Sequence, residues 1–180
     1  MIRLFIALDL PGGIKKKLHS SYSDLPGARW VKDNQHHLTI RFIGEVDSGF
    51  FHDIHASLKT IKVKPITMSL YEIGFFPSQK RARVLWVGIE KNSQLIQLHT
   101  QVESMLTSLG LEPEGRKFTP HITLARFKNP PPLSNSDQFM ASSDLPGISP
   151  FTVQHFSLYS SVLSSRGAVH QEEGHYPLQC

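Results

Sequence analysis

Two short segments of the chain carry the same chemical groups in the same order. His37-Leu-Thr-Ile40 and His121-Ile-Thr-Leu124 each place an imidazole two residues before a hydroxyl. In an extended strand residues i and i+2 point to the same face, so each segment would present its histidine and threonine together. Two such strands side by side would combine two proton-transfer groups with two hydroxyls able to hold the oxygens of a phosphate.

Two imidazoles of this kind could run a hydrolysis without a metal ion. Histidine has an unperturbed pKa of about 6.5 and serves as either acid or base near neutrality. One imidazole would deprotonate a water that attacks phosphorus, while the other would protonate the departing ribose oxygen. The threonine hydroxyls would donate to the nonbridging oxygens, and a compact 2′,3′-cyclic phosphate would suit such a site. The residues alone do not distinguish the acid from the base.

Two arginines near these HxT segments are candidates for binding substrate. Strand alternation predicts that Arg41 shares a face with His37 and Thr39. The same alternation sends Arg126 away from His121, unless a bulge turns it back. The side chains expected in the core are Leu38, Ile40, Phe42, Ile122 and Leu124.

Structural alternatives exist for each of these residues. A single HxT in a strand is more often a histidine satisfied within the fold, and it is the second copy in a matching apolar setting that favours catalysis. His52 and His55 lie three apart on a predicted helix, but no third zinc ligand of the usual spacing accompanies them, so a solvated helix face is favoured. His36 should alternate away from His37 and support its neighbour or the strand edge. The aromatic residues favoured as core are Trp30, Trp86, Phe75 and Phe76.

The surrounding periodicity predicts an α+β fold with mainly antiparallel sheets. Strands are expected at 4–8, around each HxT segment, at 66–75, 84–89 and 151–159, and within 169–178. Helices are expected after Pro11, from Asp47 or Ser48, and over 95–109 before Gly110. The stretch 129–143 is predicted to be a surface loop with a short helical turn near 137–140. There is no glycine-rich phosphate loop of the two common nucleotide-binding patterns.

The composition bounds the class of protein. The chain has 180 residues, of which 39% are hydrophobic and 19% charged, with a net charge of +4, which is compatible with a polyanionic partner. Neither a secretion signal nor a membrane span is expected, which favours a cytoplasmic protein. The only cysteine, Cys180, excludes an internal disulfide and a cysteine metal cluster. We expect one domain over 1–180, acting as a monomer and without a cofactor.

At these residues the chain resembles the two-histidine (2H) phosphoesterases, in particular the RNA 2′,3′-cyclic phosphodiesterases that are also called 2′-5′ RNA ligases. The first block of resemblance runs from Arg29-Trp-Val-Lys32 to Glu45, and the middle block from Phe76-Pro77 to Gly88. The second HxT block, Phe118-Thr-Pro-His-Ile-Thr-Leu-Ala-Arg126, is very similar to its counterpart in the family. Together these blocks cover most of the chain, in the family's order and spacing.

The resemblance implies a two-lobed, pseudo-twofold fold with helices on the outside and both HxT pairs in one cleft, working without a metal. It implies opening of an RNA-terminal 2′,3′-cyclic phosphate to a 2′-phosphate, with His37 as proton donor and His121 as proton acceptor. Thr39, Thr123, Arg126 and Arg41 would bind substrate, and the reverse reaction would join tRNA halves through a 2′-5′ bond. One departure is visible: in the segment from Ser165, His170 stands where the family has tyrosine, which puts that segment's role in substrate contact in doubt.

Two other functions remain compatible with the residues. The first is an RNA-binding protein that holds 2′- or cyclic-phosphate ends without turning them over, since the basic groups would serve this equally well. The second is a phosphoesterase for a different cyclic or 2′-5′-linked nucleotide, since the same acid-base pair could act on any compact phosphodiester.

Overall fold

The computed structural model describes residues 1–164 and 167–179. Residues 165 and 166 of the C-terminal segment and the single cysteine, Cys180, lie outside these residues. The strands are β1 (Ile2–Asp9), β2 (Ala28–Trp30), β3 (His37–Val46), β4 (Ile66–Met68), β5 (Leu70–Phe76), β6 (Val84–Ile89), β7 (His121–Phe127), β8 (Phe151–Val153), β9 (His155–Ser164) and β10 (Gly167–Pro177). The helices are α1 (Gly12–Ser20), α2 (Ser48–Leu58), α3 (Ser93–Ser108) and α4 (Leu133–Ser142).

The described strands form one large sheet whose two HxT strands lie at its centre. The order is β10-β9-β1-β3-β7-β6-β5, with β2 added beside β7, and a separate two-stranded sheet pairs β4 with β8. All of these pairings are antiparallel. The predicted α+β class with mainly antiparallel pairing is therefore confirmed.

The chain passes through the same sequence of elements twice. Apart from the short strand β2, the order β1-α1-β3-α2 recurs as β6-α3-β7-α4. A pair of strands follows each series, β4-β5 after the first and β8-β9 after the second, and β10 comes last. The second strand of each pair crosses over: β5 pairs with β6 of the second series, and β9 pairs with β1 of the first. The β3–β7 junction is the centre of this approximate twofold arrangement, in agreement with the predicted pseudo-twofold fold.

One face of the sheet carries the hydrophobic core. The aliphatic residues of the HxT strands that point to it, Leu38, Ile40, Ile122 and Leu124, are at most 3% exposed. Buried residues of the helices, including Leu18, Ile54, Leu98 and Leu106, belong to the same core. Because the helices cover this face, the histidines and threonines are left on the other one.

Helix boundaries agree with the sequence except at one element. Asp47 caps α2 by accepting a hydrogen bond from the backbone N–H of Phe50 at 2.8 Å, as predicted. The interpretation of 129–143 as a loop is wrong, because ten of its residues form α4. Pro132 precedes the first turn, where proline is tolerated, and Phe139 packs into the core. None of the described helices is long and apolar enough to cross a membrane.

Candidate active site

The two HxT segments meet where β3 and β7 join the halves of the sheet. The described residues connect these strands through one antiparallel pair, Leu38 with Ile122. Both of these side chains are fully buried, so the residues on either side of each point to the opposite face. In this register each histidine lies across from the threonine of the other segment. The structure therefore brings both imidazoles and both hydroxyls to one junction.

The two histidines are anchored in the same way. Nδ1 of His37 lies 2.8 Å from the carbonyl oxygen of Gln35, and Nδ1 of His121 lies 2.7 Å from that of Thr119. A carbonyl oxygen only accepts hydrogen bonds, so Nδ1 carries the hydrogen in both rings. This tautomer leaves Nε2 of each neutral imidazole free to accept a proton or, once protonated, to donate one.

A bulge interrupts β3 directly after its HxT pair. Thr39 pairs with Ala7 of β1 and Arg41 pairs with Ile6, so Ile40 has no partner of its own. The extra residue inverts the alternation beyond it. Arg41 consequently turns toward the helices, whereas Phe42 turns toward the site face and is 60% exposed.

The expectation that Arg41 shares the face of His37 is therefore wrong, and so is the expectation that Phe42 is in the core. The Arg41 side chain is 9% exposed and forms ion pairs with Glu103 of α3 and with Glu114, the latter at 3.3 Å. Its Nη2 also donates to the Glu112 carbonyl at 2.8 Å. These contacts attach β3 to α3 and to the segment after it, and they leave Arg41 directed away from the site.

The corresponding bulge in β7 has the opposite consequence for Arg126. Thr123 pairs with Trp86 and Ala125 pairs with Leu85, so Leu124 is the extra residue. Arg126 thereby returns to the side of His121. This is the exception that the sequence analysis gave for a bulge in this strand. The Arg126 side chain is exposed. Its positive charge lowers the pKa values of His121 and His170, which adds to the effect of burial on both rings.

Aromatic side chains enclose His37. The Phe5 ring lies 5.1 Å from the imidazole, and the Tyr159 ring lies 6.5 Å from it and stacks on Phe5 at 5.2 Å. These two residues come from β1 and β9, which are adjacent in the sheet but distant in sequence. The sequence analysis missed both, and strand alternation could have found them only once this pairing was known.

Aromatic residues enclose His121 in a similar way. The Phe76 ring meets the imidazole edge-on at 5.0 Å and stacks on Trp86 at 4.9 Å. The prediction that Phe76 and Trp86 are core residues is therefore incomplete, although Trp86 is only 9% exposed. Gly74 makes room for the indole, because a Cβ there would lie 2.2 Å from Trp86 Cζ2. Phe75, by contrast, faces the core as predicted.

A third imidazole, that of His170, completes the surroundings of His37. The two rings meet edge-on at 5.4 Å and share with Phe5 and Tyr159 the lining of a cavity of about 140 Å³. Gln35 attaches β10, the strand that carries His170, to the site. Its Nε2 donates to the Ala168 carbonyl at 2.9 Å, and its backbone carbonyl accepts from Nδ1 of His37. Position 170, where the sequence departs from the family pattern, thus lies inside the site.

Burial sets the protonation of the two HxT histidines. It is the largest cause of the low pKa of His37, about 4, and the neighbouring imidazole of His170 lowers it further. Burial also lowers the pKa of His121, and Arg126 adds to that effect. Both imidazoles are therefore neutral at pH 7 in the free protein.

The remaining histidines singled out in the sequence have other surroundings. His36 is 1% exposed, and its ring nitrogens contact the Tyr22 hydroxyl and the Asp33 carbonyl, which supports the turn before β3. Within the described part of the chain, neither His52 nor His55 joins a group of three metal-ligating side chains. His52 is exposed on α2, whereas His55 is half-buried and its ring lies 5.8 Å from that of Tyr176.

The chain matches the family model described as LigT like Phosphoesterase twice, over residues 8–86 and 87–170. It is 30% identical over 175 residues to an RNA 2′,3′-cyclic phosphodiesterase of Methanocaldococcus jannaschii, covering 94% of this chain and 97% of the relative. It is also 30% identical over 176 residues to an RNA 2′,3′-cyclic phosphodiesterase of Thermotoga maritima, covering 94% and 92%. The two family-model matches fall on the two halves of the chain, in agreement with the repeated order of elements.

Solved structures show the same architecture. LigT of Escherichia coli in its apo form superimposes with a TM-score of 0.78 at 26% identity, covering 99% of this chain and 98% of that one. A Thermus thermophilus protein superimposes with a TM-score of 0.81 at 26% identity, covering 98% of each. The E. coli protein has also been solved with 3′-AMP, and that structure superimposes at 0.77. The repeated family match, the relatives and the shared architecture together establish that this chain belongs to the LigT-like phosphoesterase family.

Proposed function

We propose that this protein hydrolyses the 2′,3′-cyclic phosphate of an RNA end or a nucleoside to a 2′-phosphate. The observation that supports this most directly is the matched pair of HxT strands, in which both imidazoles are held by Nδ1 and each lies across from the threonine of the other segment. The relatives named as RNA 2′,3′-cyclic phosphodiesterases indicate the class of substrate.

In the proposed reaction two protons move through the two Nε2 atoms. His121 takes a proton from a water molecule as the water oxygen forms a bond to phosphorus. The bond from phosphorus to the ribose 3′ oxygen breaks, and protonated His37 gives its Nε2 proton to that oxygen. The product carries a 2′-phosphate and a 3′-hydroxyl. We take the assignment of donor and acceptor from what the family resemblance implies.

The phosphate is held by hydroxyl and guanidinium donors in this proposal. Thr39 and Thr123 would donate to the two nonbridging oxygens, whose charge rises as the water attacks. Arg126 would neutralise part of that charge, because the β7 bulge turns its exposed guanidinium toward the histidines. Position 42, which the equivalent bulge of β3 turns to the same face, carries phenylalanine and offers an apolar surface instead.

The low pKa of His37 gives the substrate's charge a role in catalysis. With a pKa of about 4 the imidazole is neutral before substrate binds. An anionic phosphate next to Nε2 stabilises the protonated ring and raises its pKa. His37 would therefore gain its proton as the substrate binds, so the acid is formed where the leaving oxygen lies. The reverse reaction, which would join RNA ends such as tRNA halves through a 2′-5′ bond, would use the same two rings.

The test is turnover of a nucleoside 2′,3′-cyclic phosphate in EDTA, with the phosphate isomer of the product identified. We expect a 2′-phosphate, and we expect His37→Gln and His121→Gln each to lower kcat by about 10²–10⁴-fold with unchanged circular dichroism. His52→Gln, on the surface of α2, is the matched control and should keep full activity. Near-normal activity in either site variant would contradict the two-histidine mechanism. Binding of cyclic phosphate without turnover by the unmodified protein would favour the RNA-binding alternative.

A further inference from the structure

Two histidines and a glutamate form a cluster at the open end of the β9–β10 hairpin. His175 lies opposite Ser157, and Glu172 lies opposite Tyr159 two residues further along β9. A bulge at Glu173 makes this possible, because it returns Glu172 and His175 to the same face of β10. His155 lies two residues before Ser157 and shares that face. The fold thus gathers three potential metal ligands from two strands.

The three side chains are already close together. The imidazole rings of His155 and His175 stack with their centroids 4.0 Å apart and their planes at 27°. Nδ1 of His175 lies 3.1 Å from Oε1 of Glu172. One potential ligand atom from each residue lies within 4.8 Å of the other two. A tetrahedral ion with bonds of 2.0–2.1 Å needs ligand atoms about 3.3 Å apart, which modest rotations of half-exposed rings can reach.

The carboxylate of the cluster has an orienting neighbour on β9. Ser157 donates to Glu172 at 2.5 Å and orients the carboxylate in the way that outer-shell groups orient ligands.

We propose that His155, Glu172 and His175 form a binding site for a divalent transition-metal ion of the zinc type. Two imidazole nitrogens and one carboxylate oxygen are a common protein ligand set for Zn²⁺, with a fourth position open to water. Imidazole ligands also suit Cu²⁺ and Ni²⁺, whereas Mg²⁺ and Ca²⁺ prefer sites made of oxygen alone.

The cluster adjoins the phosphoesterase site but consists of different residues. Glu172 lies opposite Tyr159, which lines the cavity of His37, whereas His155 lies four residues from Tyr159 along β9, about 13 Å of strand. The ion would take no part in the two-histidine reaction, and the inference does not depend on the proposed function. It would instead connect β9 to β10, the strand at the edge of the sheet, and so stabilise the strand that carries His170.

The experiment is a calorimetric titration of the metal-free protein with ZnCl₂. We expect one saturable site, and an affinity lowered at least about tenfold by His155→Gln and by His175→Gln, since even outer-shell changes cost 10–100-fold. His52→Gln is the control for an unrelated surface histidine and should bind as the unmodified protein does. In a thermal melt, Zn²⁺ should raise the Tm of the unmodified protein and leave that of His175→Gln unchanged.

Several outcomes would overturn the proposal. One is the lack of saturable binding up to about 0.1 mM Zn²⁺, because a specific zinc site should have a Kd below that concentration. Another is equal affinity in the unmodified protein and in His175→Gln, whose half-exposed side chain is not needed for folding. A third is loss of binding in His121→Gln, which would assign the ion to the phosphoesterase site. Hydrolysis of cyclic phosphate in EDTA is measured separately. A failure of zinc binding therefore leaves the proposed phosphodiesterase activity untouched, and a failure of hydrolysis leaves the proposed zinc site untouched.

Discussion

The pH dependence of kcat/KM tests the electrostatics of the two HxT histidines. The proposed mechanism needs one imidazole protonated and the other neutral, and burial lowers the pKa of His37 to about 4 and that of His121 below 6.5. At pH 7 a group with a pKa of about 4 is protonated in about one molecule in 10³, an energetic cost of about 4 kcal/mol. The free protein therefore contains its reactive form mainly on the acid side of pH 6.5.

We expect kcat/KM for a nucleoside 2′,3′-cyclic phosphate to follow a bell whose two pKa values both lie below 6.5. Above that pH both rings are neutral, so kcat/KM should fall about tenfold for each pH unit. The profile of kcat should lie at higher pH, because the bound phosphate raises the pKa of the histidine beside it. The assay is initial rates between pH 4 and 9 at constant ionic strength, with circular dichroism checking the fold at each pH.

His170→Asn tests the same electrostatics by removing the imidazole that lies beside His37. Because the imidazole of His170 lowers the pKa of His37, its removal should move the kcat/KM profile to higher pH. His52→Asn, remote on α2, should leave the profile where it is. A kcat/KM that stays constant or rises through pH 7 to 8 would refute the assignment of low pKa values to both rings. An unchanged profile in His170→Asn would refute the coupling between His170 and His37.

Four further substitutions test the remaining groups. Thr39→Val and Thr123→Val keep the shape of the side chain but remove the hydroxyl, and each should lower kcat by up to about 10²–10³-fold; losses within about threefold would make the threonines simple strand formers. Arg126→Gln should lower kcat/KM by about 10–100-fold, as expected for a lost charge-assisted hydrogen bond, and an unchanged kcat/KM would remove Arg126 from the site. Arg41→Leu leaves the carboxylate of Glu103 without its partner, so urea denaturation should show a loss of about 3 kcal/mol, whereas a large fall in kcat at full stability would restore Arg41 as a substrate ligand.

Much of the local structure, and the chemistry that we propose, could be predicted from the sequence alone. The repeated HxT pattern placed each histidine on the same face as its threonine, because a strand period of two allows only one assignment of faces over three residues. The aliphatic residues between them are in the core as predicted. Asp47 identified the start of α2, since capping depends on residues that are close in the chain. These features follow from local geometry, which neighbouring residues specify.

The positions of the remaining site residues depend on pairing between distant strands, which the sequence does not show. The bulges at Ile40 and Leu124 arise from the register of β3 with β1 and of β7 with β6, and alternation within one strand cannot show an inserted residue. They turn Arg126 toward the histidines and Arg41 toward the helices. The placement of His170 beside His37 depends on β9 lying between β1 and β10. The low pKa values follow from burial by these neighbours, so the electrostatics of the site is a property of the assembled sheet and not of either HxT segment alone.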